Sequence, residues 1–452
     1  MHQRFDVVVV GAGSAGAVVA ARLSESPDRS VLLLEAGPDH DAAHAPASIS
    51  GPSFVAAMAE PGRVWPNLMA QRTPQQGARH YVRGRGVGGS SAINAMVALP
   101  GEAGDYDEWE HTFGCAGWSW ADIQPWFARI PVPLRLCTPR ETGRVARAML
   151  AAEPTAELAR LTRRGDGTRA SVNDVYLQPA RSRSNLTVLG DAQVDRVVLA
   201  GRRAVGVRLV DGTEIEAAVV VVCAGAIHSP AILLRSGVER DGIGLGLQDH
   251  PSFPMAMLLH EPPVDPAALV AVSALLRADH RVRHDLQVLA MDVVDPAMPT
   301  LGLLMGAAMR VESRGQVRLA SNDPTVDPVV EFNMLSDERD LVALRAAAQL
   351  TERLALSDAM AAVAAPAPYD MSDAGLRASV GDYVHAVGTC RMGAATDPQA
   401  VVDPRGRVIG YDGLVVCDAS VMPAVPRANT HLPTMMIAER IAATFAGGHS
   451  AP

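Results

Sequence analysis

Apolar residues along the chain fall into runs and periods that define its elements. Asp6 to Val10 is a β-branched apolar run, GAGSAG (11–16) breaks it, AVVAARLSE suits a helix, and SVLLLEAG (30–37) is a second apolar run. Strand, glycine turn, helix and strand make a βαβ unit with parallel pairing. From about 40 to 80, Ala, Pro, Gly and Ser follow without period, and the expectation there is an extended segment. RGRGVGGSSAIN (83–94) is glycine-rich. Residues 192–211 read as two short strands around Gly201–Arg202, and EIEAAVVVVCAGA as a buried strand ending near Gly225. Further on, MRVESRGQVRLAS (309–321) alternates like a strand, and SDERDLVALRAAAQLTERLAL (336–356) has the period of an amphipathic helix. GLVVCDAS (413–420) returns to a strand, and LPTMMIAERIAATFAG to a helix with Pro433 in its first turn.

This order predicts an α/β fold, with a Rossmann-like unit made of residues 1–252 and 385–452. Residues 253–384 form an inserted substrate domain of antiparallel sheet plus helix, and 130–175 is a loop or substrate-facing segment. With 452 residues, 48% of them hydrophobic, the chain can bury a large core. Its 40 basic and 49 acidic residues, mixed along the chain, give a net charge of −9 and leave no basic footprint for nucleic acid or anionic lipid. A small-molecule partner is favoured. The uncharged stretch Ala42–Ala59 holds Pro46, Gly51 and Pro52 and reads as loop rather than membrane span. The start has no secretory pattern, so the expected compartment is the cytoplasm. Five cysteines show no C-x-x-C pair or zinc spacing, so no metal site is expected, and the terminal GGHSAP carries no lipidation box.

In GAGSAG, Gly11 permits a tight turn, Gly13 lets the backbone approach a diphosphate and Gly16 lets helix and strand pack closely. Ser14 and Ala15 bring N–H groups of the helix start to the phosphates. Glu35, about 20 residues downstream with Ala36 behind it, is placed for ribose hydroxyls and disfavours a 2′-phosphate there. FAD and NAD both fit so far.

Beyond that turn, RGRGVGGSSAIN, AGAIHSPAILLRSG (224–237), LQDHP (247–251), HAVGTCRMG (385–393) and DASVMPAVPRANTHLPTMMIAE (418–439) resemble, in order, the signature segments of the glucose-methanol-choline (GMC) oxidoreductases. The resemblance runs from about 5 to 445. It thins at about 130–170 and 255–300, substrate-facing regions where this chain is shorter than family members usually are. It implies FAD, and oxidation of an alcohol to an aldehyde or ketone by hydride transfer to flavin N5. It further implies that Arg85, Gly88, Gly89, Ser91 and Asn94 crowd the flavin or diphosphate, that the backbone of Val194 meets the adenine, and that Asp418 and Ala419 touch the ribityl region. The helix starting at Leu432 and Pro433 would turn its positive end to the ring. Some members attach flavin through a histidine of the second glycine loop; Ile93 stands there, so the FAD is expected to be noncovalent.

Taken alone, His385 and His431 each read as buried core histidines. Within the resemblance, His385 matches the catalytic histidine, and His431 matches a position holding histidine or asparagine. They are expected to act as general base and hydrogen-bonding partner. His228 and His250 are read as structural. The electron acceptor is dioxygen or another oxidant, with a lean to a dehydrogenase. A flavin-containing hydroxynitrile lyase on the same fold, and a nicotinamide enzyme built on GAGSAG alone, stay open at this point.

Overall fold

The computed structural model describes residues 4–445; the first three residues and the terminal AGGHSAP (446–452) lie outside the described residues. Its main sheet contains β1 (Arg4–Val10), β2 (Val31–Leu34), β3 (Leu186–Leu189), β4 (Val194–Ala200), β5 (Arg203–Leu209) and β6 (Glu214–Val222) in the order β3-β2-β1-β6-β5-β4. Leu414–Val416 pairs with β6 as a seventh strand. The pairs β1–β2, β2–β3 and β1–β6 are parallel, with Val7 opposite Val31 on one side and Val219 on the other, whereas β4–β5–β6 is an antiparallel meander. Continuous apolar runs suit the parallel strands because helices cover them. Helix α1 (Gly16–Leu23) follows β1, and α2 (Gly225–Arg235) follows β6.

A second sheet is antiparallel: β7 (Ser252–Leu259), β8 (Val272–Ala278), β9 (Leu286–Met291) and β10 (Leu301–Ala308) stand in the order β7-β10-β9-β8. Ala364–Pro366 closes the β7 edge and Glu157–Leu158 the β8 edge. Residues near 157 therefore contribute an edge strand to this second sheet, part of the answer to where 130–175 belongs. The pleat divides this sheet's side chains. Val288, Ala290 and Leu304 pack with Leu344, Ala347 and Ala348 of α3 (Glu338–Ala355), while Val272, Leu289 and Met291 join a separate apolar cluster on the opposite face. Gly306 lets α3 lie flush, since a Cβ there would stand 2.2 Å from Thr351 Oγ1.

Two expectations change. Only Gly315–Arg318 of 309–321 is a strand, and it belongs to a third sheet of five strands, between Leu245–Leu247 and Val329–Glu331. The uncharged stretch contains short helices at Ala47–Ser50 and Phe54–Ala59, the second capped by Ser53. They are too short to show a period.

Helix α4 (His431–Thr444) closes the main sheet against α1. Arg22 on α1 grips Glu439 on α4 through Nε and Nη2, and Tyr176 donates its hydroxyl to the same carboxylate at 2.8 Å. Among the described residues no helix is long and apolar enough to cross a membrane.

Candidate active site

The two glycine loops meet backbone to backbone. Gly88 N–H donates to Ala12 O at 2.9 Å, and a Cβ on Gly89, whose φ is +51°, would stand 2.6 Å from Gly13 Cα. Gly16 packs as expected, since a Cβ there would overlap Gly11 O at 1.8 Å. Glu35, at the end of β2, binds the assembly from inside. Its carboxylate accepts from the N–H groups of Ala12 at 2.8 Å, Gly37 at 3.0 Å and Gly86 at 2.8 Å.

From this junction a cavity of about 450 Å³ extends in two directions. At one end lie Glu35, Ala36, Gln193, Val194, Ile232 and Arg235. At the other lie His385, Asn429 and the apolar face of β8–β10. Gly11, Gly13, Ser14, Ala15, Gly89, Asn94, Asp418, Ala419 and His431 line the space between or beside these ends.

Six residues expected at the cofactor do not line the cavity: Gly16, Arg85, Gly88, Ser91, Leu432 and Pro433. They stand behind the residues that do. Arg85 donates to Ala36 O at 2.7 Å, and Ser91 Oγ donates to Gly88 O at 2.6 Å while accepting from Val172 N–H at 3.2 Å. Leu432 and Pro433 are buried in the first turn of α4, whose cap Thr430 and first residue His431 do face the cavity. Asn94 Oδ1 is taken by Met96 N–H and Arg169 Nη1. Asp418 caps Ser420 N–H at 2.7 Å and accepts from Gly225 N–H at 2.8 Å, so it fastens the tail strand to the start of α2. His228, in the first turn of α2 rather than at its cap, stacks on Trp65 at 4.1 Å.

The expected partnership of His385 and His431 does not match the geometry. His431 Nδ1 lies 3.0 Å from Ser14 Oγ, in the first glycine loop. The side chain at His385 Nε2 is Asn429, whose Nδ2 is 3.4 Å away. Residues 429 and 431 flank the helix cap, and the chain's turn there sends one toward His385 and the other toward the first glycine turn. On its other edge, His385 Nδ1 meets His250 Nδ1 at 3.1 Å. His250, set aside as structural from sequence, thus touches the ring expected to be catalytic.

Asp249 organises the backbone here. Its Oδ1 accepts from the N–H groups of His250, Tyr383 and His385 at 2.7, 3.3 and 3.0 Å, and Oδ2 accepts the Tyr81 hydroxyl at 2.8 Å. Between two of those donors Val384 is held at φ +56°, a strained conformation for a β-branched residue. Burial, then His250 and Arg83, hold the pKa of His385 well below the usual histidine range. Burial, opposed by the backbone of Pro426 and Met309, still carries His250 to about 4, and burial with Arg169 carries His431 to about 4. The three rings are therefore neutral at physiological pH.

Two family models described as GMC oxidoreductase match residues 5–252 and 311–438. The chain belongs to the GMC oxidoreductase family. GMC oxidoreductases are FAD-binding flavoenzymes that oxidise CH–OH groups, and this chain is an enzyme of that class. It is 33% identical to a 5-(hydroxymethyl)furfural oxidase of Methylovorus sp., over 97% of this chain and 98% of that one. An oxygen-dependent choline dehydrogenase of Stenotrophomonas maltophilia is 31% identical over 99% of this chain and 95% of its own length. A solved pyridoxine 4-oxidase from Mesorbium loti superposes with a TM-score of 0.89 at 28% identity, covering 98% of this chain and 100% of that one.

The residues of this GMC chain fit FAD. Beside Gly13 an added Cβ would meet only Gly89 Cα, at 3.9 Å, so the turn leaves room for a group against its backbone. His431 Nε2 and Asn429 Oδ1 are buried polar atoms without a protein partner, both on residues that line the cavity. Gly89→Ala forces the two glycine loops apart, because both sides of the contact are backbone. The purified variant is expected to retain at least tenfold less flavin, read from the ratio of flavin to protein absorbance; wild-type occupancy would refute this packing argument.

Proposed function

We propose that this GMC oxidoreductase oxidises an uncharged alcohol with an apolar body to the carbonyl compound, using noncovalently held FAD. The observation that carries this reading is the pairing of His385 Nε2 with Asn429 Nδ2 beside an apolar wall, in the same cavity that begins on the first glycine turn. FAD supplies the hydride acceptor when bound. His385, kept neutral by burial, takes the hydroxyl proton, and Asn429 donates a hydrogen bond from Nδ2 to the same oxygen. His431, tethered to Ser14, serves cofactor binding, together with the backbone of Gly13–Ala15, Glu35, Val194 and Ala419.

The substrate class follows from the wall. Val272, Leu289, Met291 and Met305 from β8–β10, with Phe54, Met96 and Val97 of the same apolar cluster, contain no carboxylate. Met309, a second methionine considered from sequence, is buried outside the cavity. The nearby charge is the cation Arg83, which bonds to Val384 O. A quaternary ammonium against this wall would meet that like charge, since the carboxylates lining the cavity, Glu35, Asp327 and Asp418, belong to other segments. The named substrate of the 5-(hydroxymethyl)furfural oxidase relative is an uncharged alcohol, and that of the choline dehydrogenases is a cation; the wall favours the first kind.

Ile93, buried at the cavity, has no nucleophile to attach flavin. Acid precipitation is therefore expected to release all the flavin into the supernatant, and yellow colour left in the pellet would contradict noncovalent binding.

Anaerobic mixing with aliphatic and aryl primary alcohols should bleach the oxidised flavin, whereas choline should not. His385→Ala is expected to slow bleaching by at least about 10²-fold, and Asn429→Ala to slow it, while His431→Ala loosens flavin with a smaller effect on the rate. Bleaching by His385→Ala at the wild-type rate would end the assignment, and cyanide release from mandelonitrile without bleaching would point to lyase chemistry instead.

The pH profile has a fixed sign. The base must be neutral, and its depressed pKa moves protonation downward. The rate of flavin reduction should therefore hold its plateau as pH falls through about 6.5 and decline only well below. A half-maximal rate near 6.5, measured by rapid mixing, would contradict a buried base.

A further inference from the structure

We infer that His250 is a positioning residue that fixes the tautomer of His385, leaving Nε2 as the only basic atom His385 presents to a substrate. This rests on His385 being the base, as proposed above. The Pro426 carbonyl oxygen can only accept, and it lies 3.1 Å from His250 Nε2, so that nitrogen carries the proton. A neutral imidazole has a single N–H, so His250 Nδ1 is a lone pair. His385 Nδ1 stands 3.1 Å from it. Two lone pairs at that distance would repel, so His385 Nδ1 is the donor and its Nε2 holds the free pair. The group facing that Nε2 is Asn429 Nδ2, itself a donor.

The chain of donors runs one way, from Asn429 through His385 and His250 to a carbonyl that can only receive. The two rings stand perpendicular, with centroids 5.3 Å apart, so that the donor edge of one meets the acceptor edge of the other. Complete burial of His250 favours its neutral form. In water a neutral histidine prefers its proton on Nε2, so without His250 the basic atom of His385 would tend to be occupied.

Asp249, His250 and His385 are also close enough to suggest a metal site. The carboxylate argues for a hydrogen-bonded cluster instead, because its oxygens already receive three N–H groups and the Tyr81 hydroxyl. A ligand would have to displace them.

The test is a long-range ¹H–¹⁵N correlation spectrum of the ¹⁵N-histidine-labelled holoenzyme at neutral pH, with the His385 ring assigned by its loss in His385→Ala. A ring with its proton on Nδ1 and a free pair on Nε2 supports the inference; a proton on Nε2 overturns it, as does a divalent ion found bound by both Nδ1 atoms. In His250→Leu, of similar bulk but without an acceptor, the His385 proton should shift to Nε2 and flavin reduction should slow by about 10²-fold. His250→Asn, which keeps an acceptor oxygen, should recover part of that rate. A slower rate with the tautomer unchanged would make the role of His250 merely structural and overturn the inference. The spectrum needs no turnover, so it separates this claim from the identity of the base, which the rate of His385→Ala decides.

Discussion

The carboxylate of Glu35 is the constraint on which the site depends. Three segments distant in sequence, the first glycine turn, the end of β2 and the second glycine loop, each direct a backbone N–H at it. Each such donor, buried and unmet, would cost about 1–3 kcal/mol, so one side chain holds together a junction that the glycines alone leave loose. Because the loops can touch only as bare backbone, position and composition reinforce each other: the acid sets where they meet, and the absence of side chains lets them. The space left beside that junction is the cavity.

At the far end of the cavity the organising principle is similar but the product differs. Asp249 gathers three N–H groups, two of them on either side of a valine held in left-handed backbone geometry, and so fixes the angle at which His385 leaves the chain. Burial, and then the neighbouring Asp382, push the Asp249 carboxyl above the usual carboxylate range, while the N–H groups and the Tyr81 hydroxyl it accepts hold it down. Strain is tolerated where the surrounding bonds overdetermine it. The sheet that completes the chamber turns one pleat face to the cavity and the other to α3, so cavity lining and helix packing fall to alternate residues of the same strands.

Much of this was readable in the sequence. Valine-rich runs around a glycine turn can hardly form anything but β1, α1 and β2, and the helix period of 336–356 survives as α3. What escaped was contact across the chain. Asn429 sits in a polar stretch, Asn-Thr-His, in which the histidine draws attention because its chemistry is visible from identity alone. Which of two residues, two positions apart and on either side of a helix cap, faces His385 depends on how the cap turns, and no local pattern encodes that. His250 was missed for the same reason: its significance is an edge-on contact with a ring 135 residues away. Short helices between 47 and 59, the edge strand at 157–158 and the third sheet escaped because each is too brief to show a period, and their pairing partners come from remote segments.

The contacts between α1 and α4 bear on how the protein is made. Ser14 meets His431, and Arg22 meets Glu439, across 417 residues in each case. The glycine-turn segment therefore leaves the ribosome early, and α4, which packs on α1, follows only after most of the chain has been made. His385, Asn429 and His431 all emerge in the last stretch of translation. A nascent chain cut short before α4 would carry the first glycine turn without the helix that covers it. Cofactor loading is thereby tied to completion of the polypeptide, and incomplete chains expose an apolar surface that quality-control proteases and chaperones can recognise.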